Sequence, residues 1–120
     1  MSKKIWLLDP GHGGLYPGSG EYTTAGKRSP VWEDGSQYFE GVGNRDIVKR
    51  IKEKCSDAGI LALDIVNDWQ DVSLATRVNR ANAIYGYYKN AIYISIHSNG
   101  FSKEGAHGYS VYTSPGQTKS

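Results

Sequence analysis

The chain has 120 residues, of which 38% are hydrophobic and 22% charged, and carries a formal net charge of +2. That length suits one domain with a real core over residues 1–120, yet is short for a complete α/β enzyme. The small, dispersed charge excludes an electrostatic case for nucleic acid, no apolar run approaches a membrane span, and the single cysteine, Cys55, excludes an intrachain disulfide or a thiolate metal cluster.

The first four residues include two lysines and are positively charged, like the start of an export signal, but only the short apolar run 5–8 follows before Asp9. The expectation is a protein made in a cytoplasm that reaches an outside target by another route, or one whose export segment has been removed. Residues 5–8 read as a short buried strand. It stops at Pro10-Gly11-His12-Gly13-Gly14, a turn that presents one imidazole where open α/β sheets place their chemistry. Glycines on both sides of His12 leave room for a metal ion or a substrate, although an ordinary surface histidine on a glycine-rich turn has the same pattern.

Residues 15–39 show no sustained period and are rich in Gly, Ser, Tyr and Thr. A connection of this length in a compact domain is functional or disordered, and Tyr16, Tyr22, Trp32 and Tyr38 favour an ordered loop lining a groove or pinned to the body. Residues 44–58 then predict a helix, with Ile47, Val48, Ile51 and Cys55 on one face and Gly59 at the left-handed cap; Glu40 falls just before it. Residues 60–66 fit a second strand. Ser73 predicts the N-cap of a second helix ending at Gly86, and residues 91–96 predict a central strand, buried on both faces, that delivers His97. Residues 109–113 suggest a last short strand.

Strand, helix, strand, helix, strand predicts an α/β fold: an open, mostly parallel twisted sheet with flanking helices, Rossmann-like and three-layered as α/β/α. Parallel strands align their carboxyl ends, so His12 and His97 share one edge of the sheet. An open zinc site takes three protein ligands plus water, and Glu40 is the best third ligand because a packed helix follows it. Glu33 and Asp34 compete on chemistry but sit deeper in the loop; His107 could by composition replace either of the other histidines, and is expected to be a loop residue.

Leu7-Leu8-Asp9-Pro10-Gly11-His12-Gly13-Gly14, Glu40 with Asn44 four places on, Ser73-Leu74 with Arg77 and Ala81-Asn82, and Ser95-Ile96-His97-Ser98-Asn99 follow one another in order. Together they resemble the zinc-dependent N-acetylmuramoyl-L-alanine amidases of the Amidase_3 type. The resemblance implies Zn2+ bound by His12, Glu40 and His97, with hydrolysis of the amide between the lactyl group of N-acetylmuramic acid and the L-alanine of peptidoglycan, the aromatic loop forming one cleft wall. Zinc in such a site polarises the scissile carbonyl and brings the pKa of its water toward about 7. Asp9 or Asn99 would orient the imidazoles, unless Asp9 caps the turn, and Arg77 would make a structural ion pair or bond to backbone.

The resemblance further implies a general acid-base Glu on a later strand, and nothing here matches it. Glu104 is the one acid after His97 and lies outside any motif. The expectation is therefore the amino-terminal two thirds of such a domain, with that Glu beyond Ser120, little or no activity, and exposed sheet surface that favours a dimer. The leading reading is a cell-wall amidase from a bacterium or from a phage lysis system (an endolysin). The alternative is a non-catalytic zinc- or cell-wall-binding module, and a third reading is another zinc peptidase or deacylase on a related sheet.

Overall fold

Three strands and two helices alternate in the computed structural model, which describes residues 3–98 and 108–113: β1 (Ile5–Pro10), α1 (Glu40–Asp57), β2 (Ala62–Asp64), α2 (Leu74–Tyr88) and β3 (Ala91–Ile96). The sheet order is β2-β1-β3, and both pairings are parallel, with Leu8 opposite Asp64 on one side and Ile94 on the other. The chain thus steps from β1 to one flank and then crosses to the other. Right-handed crossovers in opposite directions put α1 and α2 on opposite faces of the sheet. Accordingly Leu7 meets Ile65, Val66 and Ala81, with Ile5, Leu63, Val72, Ile84 and Ala91 packed around them, while alternation leaves Leu8 and Pro10 for the α1 face and its buried Val48 and Cys55. The reversal in strand order falls between β1 and β3, where open α/β sheets form their binding crevice.

Several elements depart from their predicted form. Helix α1 begins at Glu40 rather than at residue 44, so Glu40 and Gly41 are buried in its first turn. Gly41 and Gly43 depress helix propensity there and hide the start from periodicity. Helix α2 runs through Gly86 to Tyr88 and is closed instead by Lys89 at φ +61, whose N–H bonds to the Tyr85 carbonyl. Ser73 caps it as predicted, accepting from the Thr76 N–H. The central strand is β1, not β3; β3 has a neighbour on one side only among the described residues, and its Ile92 and Tyr93 are exposed. Residues 109–113 form no strand.

The carboxyl end of β1 is held from the α2 side by one buried arginine. Arg77, 4% exposed, donates from Nη1 to Asp9 Oδ1 (2.6 Å) and to the Pro10 carbonyl (2.7 Å), from Nη2 to the His12 carbonyl (3.1 Å), and from Nε to the Val72 carbonyl (2.8 Å). Asp9 is itself only 2% exposed, and its other oxygen accepts from Tyr93 Oη. From the α1 side the contact is steric. A Cβ on Gly41 would overlap the Gly13 carbonyl oxygen, so only glycine lets the first turn of α1 close on the loop that carries His12.

Two consequences can be measured by chemical denaturation. Gly41→Ala is expected to destabilise by about 1–3 kcal/mol through overpacking, whereas Gly86→Ala, in the other helix and facing open space, should stabilise by about 0.5–1 kcal/mol. Arg77→Met should cost about 3–5 kcal/mol, because it strands the Asp9 carboxylate without its partner in a site that water does not reach.

Candidate metal centre

His12 follows β1 in the left-handed region, at φ +64, an uncommon state for a residue with a side chain. The turn around it is over-determined, as strained positions must be. The Gly11 N–H bonds to the Ile96 carbonyl (2.9 Å), the Gly13 N–H to Thr24 Oγ1 (2.7 Å) and the Gly14 N–H to the Trp69 carbonyl (2.9 Å). His97 follows β3, and its ring occupies the space that a Cβ on Gly11 would fill. The two imidazoles meet edge to face, with centroids 5.1 Å apart.

Glu40, at the amino end of α1, reaches both rings. Its Oε1 lies 3.4 Å from His12 Nε2 and 3.3 Å from His97 Nδ1, and accepts from the Ser98 N–H at 3.0 Å. The structure thus brings together the three side chains that the resemblance singles out, and one donor atom from each lies within 4.8 Å of the others. Among the described residues no other group of three or more His, Cys, Asp or Glu side chains does so. Burial pushes the His12 pKa below its ordinary value, with the negative charge of Glu40 opposing and the positive charges of His97 and Lys27 assisting. A neutral ring with a free lone pair is the form that ligates a metal. Two imidazoles and a carboxylate match the donor set of an open zinc site, so the residues fit that ion.

Asn44 lies one helical turn beyond Glu40 and is fully buried. Its Nδ2 donates to the Gly11 carbonyl (3.1 Å) and its Oδ1 accepts from Ser98 Oγ (3.3 Å); the Ser98 proton being used there, Tyr38 Oη is the donor in the 2.9 Å bond to Ser98 Oγ. One side chain therefore ties the three segments that carry His12, Glu40 and His97. The spacing of four from Glu40 to Asn44 was the available signal for it; the roles of Ser98 and Tyr38 have none in sequence.

The other candidates lie elsewhere. Asp9 does not orient an imidazole, since Arg77 and Tyr93 take its carboxylate, and the hydrogen bond to Asp9, after burial, pushes the Tyr93 pKa up. Arg77 bonds to backbone and to Asp9, as expected. Glu33 and Asp34 are exposed in the loop, where Asp34 accepts from the Ser36 N–H and hydroxyl. Asn99, Glu104 and His107 lie outside the described residues. The aromatics of the long loop divide into two groups: Tyr16 packs on Trp69 and Tyr22 on Phe39, whereas Trp32 and Tyr38 line a cleft of about 650 Å³ with the three ligand candidates.

No curated protein matches the sequence. The catalytic domain of CwlV, an N-acetylmuramoyl-L-alanine amidase from Bacillus (Paenibacillus) polymyxa var. colistinus, has a similar fold, with a TM-score of 0.56 at 17% identity over 86% of this chain and 49% of that one. The chain thus spans about half the length of that solved domain. The sequence profile of the Amidase_3 family, N-acetylmuramoyl-L-alanine amidase, matches residues 7–120, and the chain belongs to that family.

Proposed function

We propose that the chain forms the zinc-binding part of a peptidoglycan amidase, which hydrolyses the amide between the lactyl group of N-acetylmuramic acid and L-alanine at the bacterial cell wall. The convergence of His12, Glu40 and His97 supports this reading more than any other observation. Those three side chains would hold the ion. When bound, zinc supplies Lewis acidity toward a carbonyl and brings the pKa of a water molecule toward about 7.

The protein's own residues would position and shield. The Ser98 N–H and the Asn44 amide keep the Glu40 carboxylate and the Gly11 turn in fixed relation, so little reorganisation accompanies binding. Trp32 and Tyr38 offer flat apolar surfaces beside the ligands, suited to stacking against sugar rings. Proton delivery to the leaving amine is another matter. Among the described residues lining the cleft Glu40 is the one carboxylate, and as a ligand it is not free to shuttle protons. That observation favours a second reading, a zinc-dependent binder of cell-wall peptide with turnover about 10²–10⁴-fold below that of a site with its own acid-base group. Among the described residues no helix is long and apolar enough to cross a membrane. The outer edge of β3, unpaired among them, supports self-association, which sedimentation velocity checks.

Elemental analysis is expected to give one zinc per chain, lost in His12→Ala, Glu40→Ala and His97→Ala and retained in His107→Ala; full occupancy in His12→Ala would refute the ligand set. Zinc and release of stem peptides from purified peptidoglycan support the hydrolase; zinc without release supports the binder. Because the folded His12 binds its proton less readily than the unfolded chain does, zinc affinity should be level above about pH 6.5 and fall below it. Stability of the metal-free protein should fall over the same range, both being readable by titration and thermal melts.

A further inference from the structure

We infer that Lys27 reads the charge of the substrate: its ammonium pairs with a carboxylate of the peptide stem, so that the cleft prefers an anionic stem to the same stem amidated. The inference rests on the amidase reading, since it assumes a peptide attached beside the metal.

Lys27 is locked to the metal centre by its backbone. Its carbonyl accepts from the Glu40 N–H at 3.0 Å and from Tyr22 Oη at 3.2 Å, and the next residue, Arg28, bridges to Phe39. The position of Lys27 is thereby set against the first residue of α1, and it lines the same cleft as His12, Glu40 and His97. Its conformation makes a lysine here unexpected. Residues 26 and 27 are both left-handed, Gly26 at φ +65 and Lys27 at φ +49. Glycine or asparagine would hold that turn at lower conformational cost, so the backbone gives no reason for a long cationic side chain.

The charges around the cleft single it out. Arg28 is occupied, with Nε on the Gly26 carbonyl, Nη2 on the Thr24 carbonyl and its guanidinium over the Tyr22 ring. Glu40 faces two imidazoles and the Ser98 N–H. Lys27 Nζ has neither a hydrogen bond nor an ion pair among the described residues, and Lys27 lines the cleft beside His12. Among the described residues lining it, the cleft therefore carries one uncommitted cation next to the candidate metal ligands and no uncommitted anion, a field complementary to an anionic ligand. In the substrate the sugar side is neutral and free carboxylates belong to the peptide. A flexible ammonium is well suited to meet a carboxylate whose exact position varies between stems.

The test uses calorimetric titration of the zinc-loaded chain with an N-acetylmuramoyl peptide bearing free carboxylates and with the same compound amidated. Lys27→Asn removes the charge while tolerating the left-handed backbone, so fold and zinc content are retained. The free-carboxylate ligand should bind about three- to tenfold more tightly to the parent chain, equally with its amide in Lys27→Asn, and with preference kept in Lys27→Arg. Equal binding of both ligands by the parent, or preference surviving in Lys27→Asn, overturns the role of Lys27 and leaves the amidase reading standing. Binding of neither ligand overturns both.

Discussion

A guanidinium with almost no access to water connects the His12 loop to the rest of the molecule. Arg77 projects from the first turn of α2, yet most of its hydrogen bonds end on β1 and on the residues just past it: the Asp9 carboxylate and the carbonyls of Pro10 and His12. Loop carbonyls buried at a strand end must find donors or pay the cost of desolvation. One planar side chain with several N–H groups in a fixed fork satisfies two of them and a carboxylate together, which no other residue type can do. Asp9 makes the burial of that cation tolerable, and Tyr93 on β3 completes the carboxylate's bonding. The left-handed His12 is thus held by a strand, a helix and a neighbouring strand at once.

The topology explains why His12, Glu40 and His97 converge at all. Parallel pairing of β1 with both neighbours sends the carboxyl ends of the strands to one edge, and the change in winding direction opens a gap there between β1 and β3. His12 and His97 stand on either side of it. Helix α1 crosses one face with its amino end at the same edge, which brings in Glu40. Asn44, one turn further along the helix, then bonds to the Gly11 carbonyl and the Ser98 hydroxyl, so that helix, turn and strand end share one hydrogen-bonded node.

Much of this was legible in sequence, and the unread part follows a physical rule. Apolar runs ending at His12 and at His97 mark strands that deliver imidazoles, and the alternation of strands with amphipathic helices marks the parallel sheet. Glu40 stood out as a ligand through its resemblance and its place before a helix. The true start of α1 was hidden because Gly41 and Gly43 look like loop residues; Gly41 is there for close approach to Gly13, a demand that local propensity does not register. The partner of Asp9 lies 68 residues away, and nothing in the neighbourhood of Asp9 announces it. The exposed Ile92 and Tyr93 of β3, which pairs on one side only among the described residues, are not legible in sequence, since an apolar run looks the same at a sheet edge as at its centre. The place of Lys27 is invisible in sequence because its tie to Glu40 is made by backbone atoms, which carry no residue identity.

The parts of the candidate centre lie far apart along the chain, which bears on how the site assembles. Glu40 and His97 are 57 residues apart, and the parallel pairing of β1 with β3 requires both crossovers to be in place. Contacts of such separation are entropically costly and form late. Partly folded chains would then present scattered donors and no cleft, and a cation that recognises only the assembled pocket would draw the population toward the finished fold. With such an ion, binding and maturation would form one equilibrium, and metal supply would set how much native protein exists.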